Sequence, residues 1–181
     1  IPTNKLLTVN DSIFSYNNNP SLIYLQAAEG VPNASLIFYT PIPVYATVEM
    51  YSKAFINWNS TAINSKFKWQ YFGIPLNAVK ADPTFSGSYV RRWYEQGKDS
   101  STHWVSLNNQ SVLQPFYGYE ICQDNPRKIY FQGKLNNQNY TTPILSYTAG
   151  VDYPGQHVLT NSYTSAINIK QLVFGGSLTE T

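Results

Sequence analysis

Turn-forming residues interrupt this chain roughly every eight to twelve residues, a spacing that leaves room for short strands and little else. Asn, Ser, Thr, Gly and Pro supply the breaks, and helical apolar periodicity is hard to find between them. Strand alternation is easier to see. In Val44 to Tyr51, the side chains of Val44, Ala46, Val48 and Met50 fall on one face, and Tyr45, Thr47, Glu49 and Tyr51 on the other. Comparable stretches run over Lys66 to Phe72, Ser88 to Tyr94, His103 to Leu107, Tyr117 to Gln123 and Lys128 to Leu135. In the last of these, Ile129, Phe131 and Leu135 share a face. Connections this short cannot hold helical crossovers, so the expected fold is all-β and mainly antiparallel, a β-sandwich or jelly-roll-like module.

The first fifty residues have a finer grain. Leu6 to Val9, Ser12 to Phe14, Leu22 to Leu25 and Ser35 to Tyr39 are very short apolar runs between Asn-rich corners such as Asn17-Asn18-Asn19-Pro20. Rungs of a β-solenoid need only three or four inward side chains each, so the segment reads either as rung-like repeats or as a meander. The expected organisation is therefore a short-strand segment over 1–52 and a sandwich-like module over 53–181. Residues 52–65 mark the change, because they lack a clean period.

Composition narrows the function classes. Charged residues make up 12% of the chain, against a usual share of about 25%, while aromatic residues reach 15%. That balance excludes a charge-driven disordered chain and a coiled coil. Twelve basic against ten acidic residues leave a formal charge of +2, too little for affinity built on phosphate neutralisation, so no nucleic acid is expected as partner. No uninterrupted apolar run is long enough to span a membrane. The single cysteine, Cys122, allows no intrachain disulfide and no cysteine metal cluster, and its strand context predicts a buried, inert thiol. The start at Ile1, with no Met and no apolar leader, suggests a processed or trimmed piece of a longer protein.

Candidate chemistry is sparse. His103 and His157 lack partners at metal spacing, and no Gly-x-Ser-x-Gly elbow occurs. Asp82, Glu95, Glu120, Asp124 and Asp152 each stand alone and read as surface acids rather than as a facing pair for glycoside hydrolysis. No catalytic residue, cofactor or metal is therefore assigned. Trp69, Phe72, Trp93, Trp104 and Phe131 are expected in one hydrophobic core, tryptophan being highly buried on average. The candidate ligand face is Tyr89, Arg91 and Trp93, which share strand parity, or Arg92 with Tyr94 on the opposite parity. Either set joins rings to a guanidinium, which favours stacking and sugar recognition. Five Asn-x-Ser/Thr triplets occur, at Asn10, Asn33, Asn59, Asn109 and Asn139.

From Lys66 onward the order of motifs carries more than any one of them. Trp69-Gln70-Tyr71-Phe72-Gly73-Ile74-Pro75 precedes Tyr89 to Glu95, then Trp104 to Leu107, then Leu113 to Ile121 with Gly118-Tyr119. Ile129 to Leu135, Leu145 to Thr148 and Asn161 to Ile167 follow. This order, over roughly Ala46 to Phe174, resembles a β-module common in the C-terminal regions of large secreted and surface-exposed proteins of Bacteroidetes, with the preceding rungs resembling its β-repeat tail. The closing element departs from the family: Ser162 stands where Pro is usual, Asn168 where Asp is usual, and polar Gln156 or His157 where Trp is usual. The resemblance implies an extracellular or outer cell-surface location, a non-catalytic structural, assembly or adhesion role, and other protein segments or subunits as partners. A carbohydrate-binding module with glycan partners is the alternative. Family members usually continue with further strands, so the C-terminal edge from Gln156 is expected either to be completed by another polypeptide or to end on its own short edge over Leu172 to Leu178.

Overall fold

Thirteen short strands carry the structure, which is a computed structural model describing residues 1–143 and 145–173. Their order is β1 (Leu6–Val9), β2 (Tyr24–Leu25), β3 (Ser35–Phe38), β4 (Tyr45–Ser52), β5 (Phe55–Ile56), β6 (Phe67–Lys68), β7 (Gln70–Phe72), β8 (Val79–Lys80), β9 (Ser88–Trp93), β10 (Trp104–Ser106), β11 (Val112–Leu113), β12 (Tyr119–Gln123) and β13 (Arg127–Lys134). Two single-turn helices, Ile63–Lys66 and Ala81–Thr84, interrupt them. The all-β expectation holds, and the six alternating stretches of the sequence become β4, β6 with β7, β9, β10, β12 and β13. The short apolar run at Ser12 to Phe14 forms no strand.

Two sheets make the body. One runs β10-β9-β12-β7 with antiparallel neighbours throughout; the other runs β13-β4-β2. In the second, β13 lies antiparallel to β4 over eight residue pairs, whereas β2 pairs with β4 in parallel, as β1 does with β3. Parallel neighbours among the first strands are what a rung-like path gives, since each strand must return to the same end before pairing. The segments on either side of residue 52 nevertheless share one core, in which Leu25, Leu36 and Ala46 cluster with Phe72, Ile121 and Phe131.

Rings bridge the two sheets. Phe85 lies 5.3 Å from Phe72 on one side and 6.0 Å from Phe131 on the other, centroid to centroid, and Tyr119 lies 5.6 Å from Phe72. Phe72 and Phe131 are buried as expected, but Trp69, Trp93 and Trp104 are only half-buried and lie outside this core. Parity explains the correction. Trp69 and Tyr71 alternate with Phe72's side of the strand, and Trp93 alternates with Val90, so the tryptophans face away from the second sheet.

Outer positions of β4 are covered as well. Glu49 is buried, accepts hydrogen bonds from the Tyr24 hydroxyl (2.7 Å) and the Ala27 amide (2.8 Å), and pairs with Lys128 Nζ at 2.8 Å. Burial opposes ionisation of that carboxyl, but Lys128 and the two hydrogen bonds outweigh it and hold its pKa below the usual range. The Tyr24 hydroxyl, donating to this carboxylate, is pushed up to about 12.

Residues 156–162 are laid against the four-stranded sheet by two glycines. A Cβ on Gly118 would stand 2.2 Å from Val158 Cγ1 and 2.9 Å from the Val158 carbonyl oxygen, and one on Gly73 would stand 2.2 Å from Thr160 Oγ1. Gly118→Ala is expected to destabilise the chain by about 1–3 kcal/mol, because an inserted methyl must displace packed backbone. A thermal midpoint equal to that of the parent chain would show that the segment gives way freely. Beyond Ala166 the described chain forms a short 3-10 turn at Ile169–Gln171 and no strand; residues 174–181, and with them most of the expected edge over 172–178, lie outside the described residues.

Candidate functional site

Strand pairing assembles one side of the β10-β9-β12-β7 sheet from residues that the sequence scatters. Trp104 sits opposite Trp93, Glu120 opposite both Arg91 and Tyr71, and Cys122 opposite Tyr89. Because paired residues point to the same side of a sheet, Tyr71, Tyr89, Arg91, Trp93, Trp104 and Glu120 share the outer face. Trp69, two residues before Tyr71, joins them. The β5–β6 ribbon borders this face at Cys122, whose buried thiol donates to the Phe55 carbonyl at 3.3 Å and is pushed up by burial.

The rings form a continuous band. Centroid separations are 6.4 Å for Phe67 to Tyr89, 5.9 Å for Phe67 to Trp69, 5.7 Å for Tyr71 to Trp104 and 5.4 Å for Trp93 to Trp104, all within the range of favourable aromatic pairs. The Arg91 guanidinium lies 3.8 Å above the Trp69 ring and links the two halves of the band. Tyr71 and Tyr89 are 65% and 59% exposed, so the band meets solvent.

Two of its members are firmly held. The Trp93 ring stacks on His103 at 4.4 Å with the planes 6° apart, and its indole N–H donates to the Gln156 carbonyl at 2.7 Å. His103 is itself fully buried and bonds to the Tyr94 carbonyl through Nδ1 at 2.7 Å. Arg91 is fixed by an ion pair with Glu120 beneath it. Burial pushes the Glu120 carboxyl up and Arg91 pulls it down, with burial the stronger. The pair leaves the centre of the face without net charge.

The alternative pair, Arg92 and Tyr94, occupies the other side. Arg92 lies 3.8 Å from the Tyr117 ring and 4.9 Å from the Tyr94 ring, at the rim of the inner face. The structure thus gathers Tyr89, Arg91 and Trp93 with Trp69, Tyr71 and Trp104, and separates them from Arg92 and Tyr94. The sequence reading missed Glu120, Tyr71, Trp69 and Trp104 at this face; their registers opposite or beside Arg91 and Trp93 need strand pairing that lies outside local pattern.

Two of the five acids read as surface groups are buried, Glu95 and Glu120, whereas Asp82, Asp124 and Asp152 are exposed. Among the described residues Glu95 has no cationic partner. Its Oε1 accepts from the Thr148 amide (2.6 Å) and the Gly155 amide (2.8 Å), and its Oε2 accepts from the hydroxyls of Ser146 and Thr148 (both 2.8 Å). Burial works against ionisation there, but these four donors win and hold the pKa near 2. Among the described residues no group of three His, Cys, Asp or Glu side chains is placed to hold a metal ion. All five Asn-x-Ser/Thr asparagines are exposed.

A second surface feature lies on the other sheet. Strand β13 pairs with β4 on one side only, and among the described residues no strand takes its other edge. That edge borders a groove whose far wall is Ala78, Val79, Lys80, Pro83, Thr84 and Ser86. One end is closed by the bridge between Leu76 and Leu135, and the other by Arg127, which donates to the Ser86 carbonyl at 2.6 Å.

Comparison with characterised proteins gives one informative match. The whole chain aligns over 193 positions, at 31% identity, with Minor fimbrium subunit Mfa5 of Porphyromonas gingivalis, and it spans 15% of that protein's length. This likeness fits a surface protein of the Bacteroidetes. No protein-family model matches the chain, and no solved structure gives a significant match.

Proposed function

We propose that this chain is a non-catalytic structural, assembly or adhesion module of a larger secreted protein at the outer cell surface. Similarity along its entire length to part of a fimbrium subunit is the observation that carries the reading. The fold supplies a means of assembly, because the free edge of β13 offers unpaired amide and carbonyl groups to a strand of a neighbouring subunit or segment. Within the chain, a short-strand segment over 1–52 leads into a sandwich-like module over 53–181, and the pairing of β4 with β13 supports their acting together. No nucleic acid takes part, and no described helix is long and apolar enough to cross a membrane. An antibody raised against the 181-residue chain is expected to label intact cells of the source organism; labelling only after permeabilisation would refute a surface role.

A second reading has a specific observation behind it. Co-facial rings with a fixed guanidinium, formed by the exposed Tyr71 and Tyr89, the half-buried Trp69, Trp93 and Trp104, and Arg91, suit a carbohydrate-binding module. Adhesion through glycans would then be the form that the surface role takes, with Arg92 and Tyr94 outside the contact.

A further inference from the structure

The outer aromatic face invites a sharper question, namely what chemical class its centre accepts. We infer that the face binds an uncharged oligosaccharide laid along β9 from Tyr89 to Trp93, an assignment that rests on the carbohydrate reading above. The first ground is charge. Arg91 and Glu120 are the ionised groups at the centre of the face and they neutralise each other. The carboxylate beneath Arg91 offsets the attraction of the guanidinium for an anionic glycan, and a cationic ligand is repelled by Arg91 before it can reach the buried Glu120. Lys66 stands at one margin, over the Trp58 ring at 4.8 Å and the Phe67 end of the band at 5.9 Å, away from the centre at Arg91.

The second ground is hydrogen bonding. Arg91 lies flat on Trp69 with its side chain 28% exposed, whereas the Glu120 side chain beneath it is 4% exposed, so the guanidinium is the member of the pair that a ligand reaches. A sugar hydroxyl can accept from the exposed guanidinium and exchange hydrogen bonds with the neighbouring tyrosine hydroxyls, whereas a hydrocarbon chain does neither. A polyhydroxylated neutral ligand is therefore a class whose groups suit the exposed guanidinium and the exposed Tyr71 and Tyr89 beside it.

Shape supplies the third. The rings offer broad apolar area with few rotatable bonds, and Trp93 and Arg91 are already fixed by His103, Gln156 and Glu120, so little ordering remains to be done on binding. Tyr89 to Trp93 is four residue steps, about 13 Å of extended strand, which matches a short oligosaccharide rather than a single sugar.

The test uses the 181-residue chain on an array of neutral, sulfated and sialylated oligosaccharides, followed by titration of intrinsic tryptophan fluorescence with the best neutral ligand. Neutral ligands are expected to bind. Tyr71→Ala and Trp104→Ala are each expected to weaken binding by about tenfold, the scale of one lost stacking ring, with the thermal midpoint changed little. Glu120→Gln, which unmasks Arg91, is expected to gain sulfated or sialylated ligands. Binding confined to charged glycans would overturn the neutral assignment and leave the carbohydrate reading standing. No binding to any glycan would overturn both, and unaltered binding by Tyr71→Ala and Trp104→Ala would move the site off this face.

Discussion

Phe131→Ala is expected to lower the free energy of unfolding by about 3–5 kcal/mol, a large share of the ~5–15 kcal/mol that holds a domain folded. Phe131 is 1% exposed and makes edge contact with Phe85, which in turn reaches Phe72 on the opposing sheet. Removing the ring opens a cavity where the two sheets meet, and strands locked in ladders on both sides can close it only in part. Trp104→Ala is the informative control. Its ring lies on the outer face against Tyr71 and Trp93, so its loss leaves no enclosed void and should cost clearly less. Urea denaturation of the two variants decides the matter: equal midpoints would mean that the tryptophan band, and not the phenylalanine ladder, is the core.

The second large effect is expected at Glu95. Each hydrogen bond to a charged group contributes about 1.5–3 kcal/mol, and four converge on this carboxylate from residues 146–155. Glu95→Ala removes them together and frees the loop that presses Gln156 against Trp93. Amide exchange at Thr148 and Gly155 is then expected to accelerate at least about tenfold, the equivalent of a single such bond. Acidification should act in the same direction. The folded-state pKa near 2 lies below the roughly 4.3 of an unfolded glutamate, so the stabilisation is fully present above about 4.3 and disappears as pH falls towards 2. A Glu95→Gln variant loses that acid-dependent slope. If the parent and Glu95→Gln chains lost stability identically between pH 4.5 and 2 (roughly the titration range of this group), the carboxylate would have no such role. Glu120 contributes with the opposite sign, because its raised pKa favours folding at low pH and weakens it as pH climbs.

Most of the strand pattern was legible in the sequence because alternation is local. Val44 to Tyr51, Ser88 to Tyr94 and Lys128 to Leu135 each declare two faces without reference to the rest of the chain, and each became a strand. What alternation cannot declare is which face meets the core. Trp93 and Val90 differ in parity, and the prior that tryptophan is buried chose the wrong one, whereas the smaller Val90 is the residue that packs inside. Glu95 was misread for a related reason. Its partners lie more than fifty residues away in a segment without regular structure, so no pattern near Glu95 announces them. The pairing of Arg91 with Glu120 likewise exists only once β9 and β12 are in register.

The β4–β13 ladder has a consequence in time. Glu49 faces Tyr130, so the strand at the centre of its sheet waits for a neighbour encoded about eighty residues later. At synthesis rates of about 5–20 residues per second that interval is roughly 4–16 s, during which β4 has only the two residues of β2 to pair with. Val48 and Met50 would be unsheltered throughout, beside an open row of backbone donors and acceptors of the kind that recruits other chains. A product truncated before Arg127 is therefore the form of this polypeptide most prone to aggregate, and a cell that makes the full chain has reason to keep it unfolded, or escorted, until its last long strand has emerged.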